Sequence, residues 1–134
     1  MPLLHDDTFR RLCRARDLAG SSFREPVRLD LLAREACLSP FHFHRLFTST
    51  FGETPHEFIT RLRLDHAKCM LAANNLSVTE ICFESGYTSL GSFSSKFQAT
   101  IGSSPSEYRR NLHRVFGFPA LSVFVPQCFG GLYS

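Results

Sequence analysis

With 134 residues, 43% of them hydrophobic and 20% charged, the chain has material for a compact domain with a real core rather than a disordered segment. No apolar run approaches the roughly 20 residues of a membrane span, and MPLLHDDTFRR carries acids where a signal peptide has its basic segment, so a cytoplasmic location is expected. A net charge of +3 permits a nucleic-acid partner without requiring one, and five scattered cysteines argue against a disulfide framework or a zinc site.

From Asp6 to about Ala19, Phe9, Leu12, Cys13 and Arg16 recur at helical spacing and predict a first helix, stopped by Gly20. Arg10, Arg11 and Arg14 read as its solvated side. A short helix is expected over about 27–36, burying Leu29, Leu32, Ala33 and Ala36. Next comes SPFHFHRLFTSTFG, with Ser39 as N-cap, Pro40 at the first helical position and Gly52 as a left-handed stop. Phe43, Leu46, Phe47 and Thr50 form its buried stripe. Phe41, His44, Arg45, Thr48 and Ser49 are left facing out, a set suited to a surface that touches something.

Thr54-Pro55-His56-Glu57 is a capping box that opens the longest helix, reaching about Ala73 with Phe58, Leu62, Ala67 and Leu71 inward. Ser77 and Glu80 make a second box, starting a short helix to Glu84 or Ser85. Ser89 caps a helix that ends at Gly102, and Ser104 with Glu107 opens a last one to about Arg114.

A repeat underlies this order. Shifted by 50 residues, Asp30 falls on Glu80, Leu31 on Ile81, Ser39 on Ser89, Phe43 on Phe93 and Phe47 on Phe97. Thr50, Gly52, Pro55, Glu57 and Phe58 fall on Thr100, Gly102, Pro105, Glu107 and Tyr108. Each copy is short helix, tight turn, longer helix and capping box, the helix-turn-helix pattern whose second helix can enter a DNA major groove. The joining helix spans roughly 28 Å at about 1.5 Å per residue. That length could set the two second helices about 34 Å apart, one turn of duplex.

In LAREACLSPFHFHRLFTSTFGETPHEFI, RLRLDHAKCML and SVTEICFESGYTSLGSFSSKFQATIGSSPSEYRR, the chain resembles the DNA-binding domain of the AraC/XylS family of bacterial transcription regulators. Ile81, Gly86, Tyr87, Phe93, Phe97, Gly102, Pro105, Tyr108 and Arg109 stand where that family's pattern expects them. The resemblance covers about 6–114 and implies an all-α fold of about seven helices. Two helix-turn-helix subdomains, about 6–53 and 77–114, would be joined by the linker helix at about 55–73, and 115–134 would be an apolar extension.

The resemblance places base contacts at Pro40, Phe41, His44 and Arg45 of the first recognition helix (about 40–51). In the second (about 90–101) it places them at Leu90, Gly91, Ser94 and Ser95. Arg45 suits guanine O6 and N7, and Phe41 suits a thymine methyl, whereas the second set offers short hydroxyls and little else. The first lobe is therefore expected to do most direct reading and the second mainly to position the protein and sense DNA shape. Phosphate contacts are expected from Thr48, Ser49, Lys96, Gln98 and Arg109, with the helix starts at Thr54 and Ser104 as further candidates. Arg63 could approach phosphate or equally tie the two lobes together. Lys96, at the repeat position of Leu46, is expected to lay its stem along the core edge.

The expected partners are double-stranded DNA and RNA polymerase, with the chain binding DNA as a monomer and away from membranes. No catalytic residue, cofactor or metal site is expected: His42 and His44 point to different sides of their helix, and His66 and Cys69 lack further ligands. The uncharged extension suits a cover for its own domain or a contact surface for another protein. A competing reading is thus a partner-binding adaptor that keeps the fold and works through this extension. No effector-binding domain fits in the remaining residues, which leaves a stand-alone regulator or a piece of a longer one.

Overall fold

The computed structural model describes residues 6–73 and 75–116. Seven helices run through them: α1 (Asp6–Ser22), α2 (Leu29–Glu35), α3 (Pro40–Phe51), α4 (Pro55–Ala73), α5 (Val78–Glu84), α6 (Leu90–Ile101) and α7 (Pro105–Phe116). The chain divides into two compact units, one through Arg61 and one from Leu62, so the division falls inside α4.

In the first unit α1 packs on α2 and α3. Leu12, Ala15, Ala19, Phe23, Leu32, Ala33, Ala36, Phe43 and Phe47 are buried there. Phe47 is the hub of the aromatic packing, with ring centroids 5.5 Å from Phe43, 4.7 Å from Phe51 and 5.9 Å from Phe58. α1 does not stop at Gly20 but runs on to Ser22. A helical glycine costs only about 1 kcal/mol, and the buried ring of Phe23 just beyond anchors the added turn. α2 starts at Leu29, which is 36% exposed rather than buried. Arg11 is not a solvated residue: its Nε donates to the Ala36 carbonyl at 3.0 Å, and its guanidinium also pairs with Asp7. Thr50 sits in the expected stripe only in part; its residue is half-buried, and its shielded Oγ1 has no hydrogen-bond partner.

The second unit has the same plan. Leu64, Ala67 and Leu71 of α4, Ile81 and Cys82 of α5, and Phe93 and Phe97 of α6 form one buried cluster, with Met70, Tyr87, Ile101 and Tyr108 packed against it. Ring contacts run from Tyr87 to Phe93 (5.3 Å), Phe93 to Phe97 (5.7 Å) and Phe97 to Tyr108 (5.6 Å). The buried Ser85 hydroxyl lies 3.1 Å from His66 Nδ1.

The repeat is real, but its register is not uniform. Leu31, matched to Ile81 by the 50-residue shift, is 43% exposed, whereas Ile81 is fully buried. The buried equivalents are Leu32 and Ile81, Ala33 and Cys82, Ala36 and Ser85, all 49 residues apart. Both short helices end in the same Schellman turn. Cys37 N–H donates to Arg34 O and Leu38 N–H to Ala33 O, while Gly86 N–H donates to Phe83 O and Tyr87 N–H to Cys82 O. The left-handed residues are Cys37 (φ 57°) and Gly86 (φ 98°). Thr88 is therefore the inserted residue, and the 50-residue spacing holds only from Ser39 and Ser89 onward.

Of the three expected capping boxes, the one at Thr54 and Glu57 forms in full, and those at Ser77 and Ser104 show the N-cap half. Thr54 and Glu57 exchange hydrogen bonds reciprocally, and Ser77 and Ser104 accept from the amides of Glu80 and Glu107. α7 continues past Arg114 to Phe116, so Val115 and Phe116 belong to the helix. The rest of the 115–134 extension lies outside the described residues. Among the cysteines, Cys82 is buried and Cys13 half-buried, but Cys37 is exposed. Cys69 is buried.

Candidate nucleic-acid interface

α3 is held from both ends. Ser39 Oγ accepts the His42 amide at 3.2 Å, Pro40 occupies the first turn, and Gly52 closes the helix at φ 79°. With Phe43 and Phe47 fixed in the core, the register of the other side is set: Pro40, Phe41, His44 and Arg45 are all exposed. Phe41 is 72% exposed, and the Arg45 guanidinium carbon lies 5.7 Å from its ring centre. That contact joins two residues that the sequence treated separately, although their four-residue spacing would have signalled it. Thr48 Oγ1 donates to His44 O at 2.7 Å and Ser49 Oγ to Leu46 O at 3.3 Å, so each hydroxyl must turn away from its own helix to donate elsewhere.

α6 repeats the frame. Ser89 Oγ accepts the Ser92 amide at 3.3 Å, and Gly102 closes the helix at φ 97°. Leu90, Gly91, Ser95, Lys96 and Gln98 are exposed and Ser94 is half-buried. The outer face is thus present but chemically sparse. Lys96 is exposed, and Leu46 at the matching position is half-buried. A boundary position accepts a lysine with no core cost, which explains the substitution.

Charge placement separates these two helices from the others. α1, α2, α4, α5 and α7 each carry an acidic residue in the first turn, whereas α3 and α6 carry none. Their positive helix ends are left without a neutralising carboxylate, an arrangement that favours an approaching anion. The amide of Thr54, by contrast, donates to Glu57 Oε1 at 2.9 Å.

Two of the expected phosphate ligands have partners within the second unit. Arg63 is half-buried with its guanidinium 5.6 Å from the Tyr87 ring centre, and burial lowers its pKa. Arg109 Nε donates at 3.3 Å to the Leu71 carbonyl, 38 residues away, and burial lowers its pKa as well. Nothing local in the sequence reveals that second contact. Among the described residues there is no cluster of three or more His, Cys, Asp or Glu side chains placed to hold a metal ion, and no helix is long and apolar enough to cross a membrane.

Residues 32–111 match a family described as a helix-turn-helix domain. The chain is 36% identical over 78 residues to the probable transcriptional regulator LumQ of Photobacterium leiognathi, covering 58% of this chain and 32% of that protein. It is 29% identical over 107 residues to an uncharacterised helix-turn-helix-type transcriptional regulator of Staphylococcus aureus, covering 80% of this chain and 14% of the relative. These matches span about a third or less of the relatives' own length. The crystallised DNA-binding domain of the global transcriptional factor AdpA, in complex with a target DNA, is similar in fold at a TM-score of 0.74 and 27% identity. That match covers 78% of this chain and 94% of the other. An AraC-type transcriptional regulator from Chromobacterium violaceum superposes at a TM-score of 0.71 with 26% identity, covering 83% and 97%.

Proposed function

Because the chain belongs to the AraC-type family of helix-turn-helix transcription regulators, we propose that it is a sequence-specific DNA-binding regulator that inserts α3 and α6 into successive major-groove segments. The observation that carries this reading is the pair of matched helices, α3 and α6, alone among the seven described in having no acid in the first turn. Each is fixed by two core phenylalanines, a serine cap and a left-handed glycine, so its outer face is presented on a rigid element.

In the first unit Pro40, Phe41, His44 and Arg45 meet base edges. Arg45 supplies a bidentate fork for guanine, His44 donates or accepts according to its tautomer, and Phe41 packs on a thymine methyl. In the second unit Leu90, Gly91, Ser94 and Ser95 allow close approach with few directional bonds, so α6 mainly fixes register and senses groove shape. Thr48, Ser49, Lys96 and Gln98 contact phosphate. Arg63 and Arg109 serve first to hold the second unit together, through Tyr87 and Leu71. A monomer presenting two readers needs no symmetric partner, and a regulator bound near a promoter has RNA polymerase as its natural further contact.

The test is titration of duplex DNA at several salt concentrations. Phosphate neutralisation predicts that log affinity falls linearly and steeply with log salt. Absence of binding to any duplex at about 50 mM salt would contradict the proposal.

A further inference from the structure

Helix α5 is alone among the seven described helices in carrying no lysine or arginine, and it holds two glutamates. Glu80, Phe83 and Glu84 stand at i, i+3 and i+4, so they share one face, and all three are exposed. The ring of Phe83 is 55% exposed. The fold does not require a ring there, because the equivalent residue of the first unit, 49 positions earlier, is Arg34. Such a face repels a polyanion and suits a guanidinium, which the carboxylates attract and the ring's negative face accepts. The second unit itself carries the complement. On α7, Arg110 and Arg114 stand one turn apart, both exposed, and Val115 beside them is 71% exposed. Neither arginine makes an ion pair among the described residues. The acid of this helix, Glu107, lies in its first turn, N-terminal to both.

We propose that the α5 face of one copy docks on the α7 face of a second copy of this chain, with Arg110 and Arg114 meeting Glu80, Phe83 and Glu84. Because both faces belong to the second unit, a two-fold axis lets each copy give and receive the contact. The patches are small, so the pairing is weak in dilute solution and acts between copies held close, as neighbours on one duplex are. Each copy still engages its own site as a monomer.

Sedimentation velocity of the full chain without DNA tests this at up to about 1 mM, the effective concentration of two modules on a short tether. Wild type should shift from monomer to dimer across the series, and less so in added salt. Glu80→Arg with Glu84→Arg makes both faces basic, and Arg110→Glu with Arg114→Glu makes both acidic. Each double variant should self-associate at least about tenfold more weakly, because like charges then meet. An equimolar mixture of the two should recover wild-type association, since every face again meets its opposite. Phe83→Ala, which leaves every charge in place, should weaken the wild-type dimer severalfold. All five positions are exposed, and thermal melting checks that the variants are folded. Undiminished dimers in both charge variants, or a mixture that associates no better than its components, overturn the proposal. A wild type that stays monomeric overturns it too. In that case a lower melting temperature in Phe83→Ala assigns the ring to a cover by the chain's own 117–134 segment, and an unchanged one assigns the face to a different protein.

Discussion

In the first helix-turn-helix, Phe43, Phe47 and Phe58 stack with centroid spacings of 5.5 and 5.9 Å; in the second, Phe93, Phe97 and Tyr108 do so at 5.7 and 5.6 Å. Serine caps and left-handed glycines also repeat, at Ser39 and Ser89 and at Gly52 and Gly102. The outer faces do not repeat. Phe41 and Arg45 on α3 become Gly91 and Ser95 on α6. Positions whose neighbours belong to the chain itself are tightly constrained by packing, while positions facing outward answer to whatever binds there. The turn diverges as well: Thr88 is inserted after the last Schellman hydrogen bond and before the next cap, so both features are kept.

The largest effects should test whether the two cores are equivalent. Phe47→Ala and Phe97→Ala, both removing a fully buried ring, should each cost about 3–5 kcal/mol in urea unfolding. A gap well beyond about 2 kcal/mol between them would show that one unit depends on its aromatic stack far more than the other.

A smaller effect concerns a fully buried position where the two units differ in polarity. Ser85→Ala leaves His66 Nδ1 facing a methyl in place of a hydroxyl at 3.1 Å and should cost about 1–3 kcal/mol. Ala36→Ser places a hydroxyl at the equivalent, fully buried position of the first unit, where it should cost about 1–2 kcal/mol. Stabilisation by either change would break the equivalence of Ala36 and Ser85.

The smallest effect lies in the turns. Cys37 holds φ 57° with a side chain, so Cys37→Gly should stabilise the protein by less than about 1 kcal/mol, and Gly86→Ala should destabilise it by about 1 kcal/mol. Thermal melting of the two variants should therefore move in opposite directions. Movement in the same direction would remove Cys37 and Gly86 as counterparts.

Much of this was legible in the sequence because it is local. The bounds of α3 and α6 follow from Ser39, Pro40 and Gly52, and from Ser89 and Gly102, and the outward register of Phe41 and Arg45 follows from the helical period. What was not legible is non-local or depends on loop length. The Arg109 bond to Leu71 spans 38 residues and the His66–Ser85 pair 19, so no pattern in the sequence announces them. The single inserted residue in the second turn put Leu31 on Ile81, an error that only the observed burial corrects. The stop assigned to Gly20 failed because the buried ring of Phe23 outweighs a modest backbone preference.

The central claim is that the shared frame carries unequal readers. Binding of wild type, Arg45→Ala and Ser95→Ala to a randomised duplex library tests it directly. Arg45→Ala should abolish discrimination at one guanine, a loss of about 1–3 kcal/mol confined to the half-site under α3. Ser95→Ala should leave base preferences nearly unchanged. If Ser95→Ala relaxed specificity more than Arg45→Ala, direct reading would lie with α6, and the claim would be wrong.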